Sequence, residues 1–241
     1  MEKCAVMRLA ILAEVHANLP ALEAALQAAR QESVDQVWAV GDLIGYGPHP
    51  RQVLRRLDRE GIPCVPGSAD LKVAFAMMGM RREGVADSIL AWTSEQLSRR
   101  ELQFLRSLRP RQRIELKGGR LTALHGLPDD PEAKLDTEAS ARDLLEMFGK
   151  LRTRWGVFAG RHIPFYRRVG DGLVIDPGSV GLTLGGEPGA DVLILDEDLE
   201  GRLNLRFLKV PYDFGQVIFD LTAWELPPIV AEVIRLGRYP G

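Results

Sequence analysis

Apolar positions in the first third of the chain switch between two periods. Short apolar runs at 9–13, 36–40 and 62–66 read as buried strands. The stretches between them, 19–30 and 50–60, carry apolar residues at helical spacing, with Leu19, Leu22, Leu26 and Ala29 on one face. Strands that alternate with amphipathic helices predict a parallel sheet with right-handed crossovers. From 70 to about 108 the pattern is helical, over 86–97 and 101–108, with Asp87 and Ser98 as caps. Within that stretch the Met77-Met78-Gly79-Met80-Arg81-Arg82 run reads as a flexible, partly exposed segment; methionine clusters are core filler more often than cofactor sites.

After Pro110 the period shortens. Segments 114–117 and 121–124 flank Gly118-Gly119, a two-residue hairpin signal. A helix over 138–151 follows, then short strands at 156–159, 166–169 and 173–175. A strand pair at 190–195 and 203–210 precedes a closing helix over 223–236. The strand-rich half predicts a second sheet against the first, giving one layered α/β domain over 1–241 with a helical excursion at about 70–108.

Composition narrows the partners. A chain of 241 residues, 46% hydrophobic and 27% charged, can bury a substantial core and has an ordinary globular balance. Its net charge of -2 gives no general pull toward nucleic acid or anionic membrane, so neither is expected as a partner and any preference for phosphate is local. No apolar run reaches membrane-spanning length and no secretory pattern follows Met1, which predicts a cytoplasmic protein. Cys4 and Cys64 lack Cys-x-x-Cys spacing and read as reduced, buried packing residues.

The candidate chemistry sits where such sheets usually place it, at the carboxyl ends of strands. Those ends carry Glu14-Val15-His16, then Gly41-Asp42, then Gly67-Ser68-Ala69-Asp70. Two positions apart on an extended chain, Glu14 and His16 would face the same side, as carboxylate and imidazole ligands of one cation should. Asn18 and Pro20 supply the helix start that follows. Of the four histidines, His16, His125 and His162 fall just after strands, whereas His49 in Gly47-Pro48-His49-Pro50 reads as a surface loop residue. Singly, each of these is equally a polar residue of a loop. Together Glu14, His16, Asp42, His125 and His162 make two carboxylates and three imidazoles, enough for a mononuclear metal site with an incomplete second one. Gly178-Ser179-Val180-Gly181 reads as architecture, since it lacks the Lys and the helix of a Walker phosphate loop.

These motifs resemble the calcineurin-like metallophosphoesterases, in particular the small bacterial and archaeal branch, nearly end to end. The family's Asp-x-His-Gly-Asn is matched by Glu14-Val15-His16-Ala17-Asn18, and its Gly-Asp by Gly41-Asp42, continuing Leu43-Ile44-Gly45-Tyr46-Gly47-Pro48. Its Gly-Asn-His-Asp is matched by Gly67-Ser68-Ala69-Asp70, its His-Gly by His125-Gly126 and its Gly-His-x-His by Ala159-Gly160-Arg161-His162. Asp176-Pro177-Gly178-Ser179-Val180-Gly181 and Val210-Pro211-Tyr212-Asp213 complete the series. The resemblance implies a four-layer αββα sandwich of two mixed sheets flanked by helices, and metal-dependent hydrolysis of phosphate esters.

The departures from the family pattern are informative. The resemblance assigns one metal to Glu14, His16, Asp42 and His162, with Asp42 bridging to a second. For that second metal the family's Asn and first His are replaced by Ser68 and Gly160, leaving His125 and Asp42 as weak remaining ligands. The family histidine that protonates the leaving group is Ala69 here, and its partner acid persists as Asp70. The expectation is a single divalent transition metal (Mn, Fe or Zn), an empty second site, and slow hydrolysis of a phosphomono- or phosphodiester by a metal-bound water. The alternative is a non-catalytic descendant that binds a phosphate-bearing ligand or a protein partner through the same cleft. Arg161, beside the missing ligand, is a candidate clamp on phosphate oxygens; alternatively it pairs with Glu14 or Asp70. Asn18 and His49 are candidate substrate contacts.

Overall fold

A computed structural model describes residues 7–76 and 84–240. In chain order the first half runs β1 (Met7–Ala13), α1 (Leu19–Gln31), β2 (Gln36–Val40), α2 (Pro50–Arg59), β3 (Cys64–Val65) and α3 (Ser68–Leu71). A π-helical turn, Lys72–Ala76, then leads toward α4 (Val85–Gln96) and α5 (Arg99–Ser107). The second half runs β4 (Gln112–Leu116), β5 (Gly119–His125), α6 (Ala141–Leu151), β6 (Trp155–Ala159), β7 (Phe165–Val169) and β8 (Gly172–Asp176). It closes with β9 (Ala190–Glu197), β10 (Leu203–Val210), α7 (Phe214–Ala223) and α8 (Pro228–Leu236).

The strands form two five-stranded mixed sheets, ordered β10-β9-β1-β2-β3 and β4-β5-β6-β8-β7. In the first sheet β1, β2 and β3 are parallel, with Ile11 opposite Trp38, and β9 runs antiparallel to β1. In the second, β5, β6 and β8 are parallel, with His125 opposite Ala159.

Burial follows the two-residue period of a strand covered on both faces. Leu9, Ile11 and Ala13 of β1 enter the core between the sheets, meeting Leu121, Trp155, Val157 and Ile175. Ala10 and Leu12 turn the other way, under Leu22 and Leu26 of α1. On the far side, Leu144, Phe148 and Leu151 of α6 cover Leu124, Phe158 and Val174. The result is the expected αββα layering.

Local chemistry sets the helix ends. Asn18 Oδ1 accepts the Ala21 N–H (3.2 Å) at the start of α1, with Pro20 in the first turn. A capping box between Ser98 and Glu101 opens α5.

Several boundaries differ from the sequence pattern for identifiable reasons. β3 shortens to two residues because Pro63 and Pro66 bracket it and cannot donate to a ladder. Leu116 pairs with Gly119, so the hairpin turn is Lys117-Gly118, one residue earlier than expected. α4 begins behind Gly84 without a side-chain cap, and Asp87 lies in its first turn. α6 starts later than expected, at Ala141, where the Ser140 hydroxyl accepts the Asp143 N–H.

The closing helix expected over 223–236 begins only at Pro228, and a further helix, α7, precedes it. Asp213 caps α7, which stops at Ala223. Glu225 then turns with φ +53°, and Pro228 begins α8. Cys64 is a buried free thiol that donates to the Ile62 carbonyl, and burial raises its pKa. Cys4 and the Met77–Arg82 run lie outside the described residues. Among the described residues no helix is long and apolar enough to cross a membrane.

Candidate metal centre

β1 and β2 of one sheet and β5 and β6 of the other deliver their carboxyl ends to one place between the layers. Glu14 and His16 do not extend β1 as an in-line pair, contrary to the expected strand geometry. The strand stops at Ala13, and Glu14 (φ +53°), His16 (φ +47°) and Ala17 (φ +53°) turn through the left-handed region. Asp42 (φ +25°) and His162 (φ +62°) share the unusual sign of φ. Left-handed backbone at non-glycine residues costs on the order of 1–3 kcal/mol each and persists only where the surroundings enforce it.

That enforcement is visible around the turn. His16 N–H donates to the Asp42 carbonyl and Ala17 N–H to that of Leu43, both at 2.9 Å. The Glu14 carbonyl accepts both the Ser179 hydroxyl (2.8 Å) and the Gly181 N–H (2.9 Å). The Asp176–Gly181 loop therefore splints the metal-facing turn, consistent with reading it as architecture.

Glu14 is fully buried and lies at the centre. Its Oε2 is 3.0 Å from His16 Nε2 and 3.2 Å from His162 Nε2, and the two imidazole nitrogens are 3.4 Å apart. Its Oε1 is 3.1 Å from His125 Nε2, which is 3.8 Å from Asp42 Oδ2. The three N···O separations to Glu14 are short, yet none meets the geometry of an N–H hydrogen bond, and both Glu14 oxygens lack a hydrogen-bond partner.

Lone pairs converging on a cation give this pattern. Ligand atoms about 2.1 Å from an ion are roughly 3.0 Å apart at right angles and roughly 3.4 Å apart at the tetrahedral angle. The Glu14–His16–His162 edges fall within that range. The His125–Asp42 edge is longer than either value. Two donor sets follow, Glu14–His16–His162 and Glu14–Asp42–His125, joined by Glu14. All five expected ligands meet, but Asp42 groups with His125 rather than with His16 and His162, and the donor shared by the two sets is Glu14.

Charge and orientation fit a cation as well. Burial opposes ionisation of Glu14, but the charge of His125 and the three imidazoles hold its carboxyl well below the usual carboxylate range. Burial, then Glu14, raises the pKa of Asp42. Burial likewise opposes the charged form of His125, and Glu14 overcomes it, carrying that imidazole up to about 10. His162 Nδ1 lies 2.8 Å from the Leu182 carbonyl, which can only accept, so neutral His162 keeps its Nε2 lone pair toward Glu14. Tyr46 packs edge-on against His16 with ring centres 5.1 Å apart.

The remaining predicted residues divide. Ser68 and Gly160 line the cleft with His16, Asp42, His125 and His162. Ala69 is buried, and its N–H fixes Asp42 Oδ1 at 2.8 Å. Asp70, expected in the chemistry, is fully buried and accepts the N–H groups of Leu43, Ile44 and Gly67, tying α3 to the Asp42 loop. Burial and then Asp42 push its pKa up to about 7. Arg161 neither clamps the cleft nor pairs with Glu14 or Asp70; its guanidinium donates to the Leu135 carbonyl.

Asn18 is consumed by the scaffold, since its amide nitrogen donates to the Gly181 carbonyl and the Tyr212 hydroxyl. His49 lies 2.9 Å from Asp220 on α7 and does not line the cleft. Sequence reasoning missed Tyr46, Leu182 and Asp176. Asp176 is buried beside the site, accepts the Gly178 and Arg161 N–H groups, and is pushed up to about 7 by burial. Its position ahead of Pro177-Gly178 was the available signal.

The model of the calcineurin-like phosphoesterase superfamily domain matches residues 7–199. An uncharacterized protein of Methanocaldococcus jannaschii is 26% identical over 247 residues, covering 95% of this chain and 98% of its own. Among solved structures, a metallophosphoesterase from Sphaerobacter thermophilus superposes with a TM-score of 0.78 at 28% identity, over 96% of this chain and 99% of its own. A hypothetical protein from Pyrococcus horikoshii shares the fold with a TM-score of 0.82 at 21% identity, over 97% and 98% of the two chains.

Proposed function

The chain belongs to the calcineurin-like phosphoesterase superfamily, and from that premise we propose that it is a slow, metal-dependent hydrolase of small phosphate esters with one well-formed cation site. One observation carries this reading: the buried Glu14 Oε2 has no N–H donor and sits 3.0 and 3.2 Å from two imidazole nitrogens. Glu14, His16 and His162 would hold the ion, and Glu14, Asp42 and His125 form the weaker set. A bound divalent transition metal (Mn, Fe or Zn) supplies Lewis acidity to a phosphoryl oxygen and to water.

The chain's own residues prepare that site. The Glu14 carboxylate offsets cation charge, the Leu182 carbonyl fixes the His162 tautomer, and Tyr46 restrains the His16 ring. Slowness is the consequence of Ala69, which has no proton to give a leaving group; a general acid is worth about 10²–10⁴ in rate. Gly160 adds to it. Its φ of +132° suits glycine alone, so no side-chain ligand completes the second set. The same two positions favour a second reading, in which the cleft binds a phosphate-bearing ligand without turning it over. The net charge of -2 supports a small ester over nucleic acid as the partner.

Calorimetric titration with Mn²⁺, followed by turnover of p-nitrophenyl phosphate and its bis-ester, tests the proposal. One tight ion with measurable turnover is expected. A bound ion without turnover selects the second reading, and a protein that binds no ion overturns both.

A further inference from the structure

We infer that the cleft is built for a compact phosphate monoester with a flat apolar leaving group, and that Tyr239 positions that group; this deepens the phosphoesterase reading and rests on it. The cavity above the ligands holds about 170 Å³. That is below the roughly 300–1,000 Å³ of sites that engulf drug-sized molecules. A phosphoryl group and one ring would fill it.

Two kinds of side chain line this cavity above the ligands. The lining is mixed: Tyr46, Leu182, Leu184 and Tyr239 supply aromatic and aliphatic surface on one part of it, while Glu132 and Lys134 contribute charge. Glu132 is engaged by Lys72 at 2.9 Å. Lys134 is exposed and has no ion-pair partner among the described residues. The uncommitted charge at the mouth is therefore positive, which suits the dianion of a monoester better than the single charge of a diester.

Tyr239 is 63% exposed, and the chain is fastened two residues before it. Gly237 ends α8 with φ +63°, and its carbonyl accepts the Gly186 N–H at 2.8 Å. A Cβ there would lie 2.6 Å from the Glu187 carbonyl carbon, so the close approach requires glycine. Two residues beyond this anchor, an aromatic ring stands at the rim of the metal cleft with most of its surface uncovered. A ligand ring laid against Tyr239 would gain the contact that the free protein leaves unmade.

The test measures binding of phenylphosphonate, its monomethyl ester and methylphosphonate by calorimetry, with and without Mn²⁺, alongside turnover of phenyl phosphate. Wild-type protein should bind phenylphosphonate about tenfold tighter than methylphosphonate and tighter than the monoanionic ester. Tyr239→Ala should shrink the phenyl-to-methyl ratio about fivefold, Tyr239→Phe should keep it, and Lys134→Ala should weaken both phosphonates alike. Equal affinities for the two phosphonates, a ratio indifferent to Tyr239→Ala, or no phosphonate binding under either condition overturns the inference. Tyr239-dependent phosphonate binding without turnover of phenyl phosphate overturns the catalytic reading, and with it the leaving-group role, and leaves Tyr239 as a ring contact of a binding cleft.

Discussion

The two donor sets that meet at Glu14 are built from the same chemistry and differ in closure. Around Oε2 the three edges of the Glu14–His16–His162 set span 3.0 to 3.4 Å, and the His162 ring is pinned by the Leu182 carbonyl. Around Oε1, His125 lies 3.1 Å from Glu14 but 3.8 Å from Asp42. His125 Nδ1 has no partner to orient the ring, as is also true of His16 Nδ1 in the first set, and Asp42 is held by the Ala69 N–H. Ligand count alone would rank the sets equal. Support is similar, one backbone-held ligand in each, so edge length ranks the first above the second: donors already spaced to meet one ion need less rearrangement on binding.

The widest test of that ranking removes the donor both sets share. Glu14→Gln keeps shape and burial but takes away the central charge, and Mn²⁺ affinity should fall by about a thousandfold or more, or about 4 kcal/mol. Titration calorimetry reads this directly. Affinity like that of the wild type would mean Glu14 is not a ligand, and the comparison would lose its pivot. A narrower test separates the sets. His162→Ala should weaken the tight ion about a hundredfold, whereas His125→Ala should change it by less than about threefold. Equal losses would show that the sets act as one.

The turn that carries Glu14 and His16 can be challenged without touching a ligand. A Cβ on Gly181 would sit 1.9 Å from the Val15 carbonyl oxygen, between the two ligands in sequence. The two nearest atoms belong to the Val15 backbone and the next is the Asn18 Cβ, so no flexible side-chain end is there to yield. Gly181→Ala should therefore cost about 2–3 kcal/mol of stability and about tenfold in Mn²⁺ affinity, read by urea unfolding and titration. Unchanged affinity at reduced stability would mean that the splint does not shape the tight set.

This splint marks the limit of what the sequence makes legible. β2 and β10 match their expected bounds, and β1 and α1 match within two residues, because their apolar periods are unbroken. The ligand types at the strand ends are visible in the same way. What escapes is whatever depends on backbone sign or on distant partners. Nothing in the residue types around Glu14 and His16 announces left-handed φ, and the spacing of two suggests an extended pair instead. The grouping of Asp42 with His125 is set by two sheets meeting, not by neighbours in the chain. Asn18 and Asp70 look like site residues because they stand beside ligands, yet both are spent on holding backbone N–H and C=O groups. Tyr239 reaches the cleft through contacts between elements far apart in the chain, the Gly237–Gly186 hydrogen bond and the packing of α8 against Leu182.

The smallest expected effect supplies the control, a change to the scaffold that should leave both donor sets alone. Glu101 in α5 accepts from Ser98 N–H and Oγ and from Arg55 Nε of α2, and is buried. Burial opposes its ionisation, but the Ser98 hydroxyl and Arg55 outweigh it and lower its pKa from 4.5 to about 2. A carboxyl depressed by folding stabilises the native state above its unfolded pKa and loses that contribution as the pH falls through the folded one. The stability difference between wild type and Glu101→Gln should therefore be full at pH 7, about 1–2 kcal/mol for a damaged capping box, and should shrink between pH 4.5 and pH 2. Urea unfolding at pH 7, 4 and 2.5 measures it. Mn²⁺ affinity at pH 7 should match the wild type; a loss there would show that the α2–α5 layer also supports the metal turn, and the contrast between the two sets could no longer be assigned to their own edges.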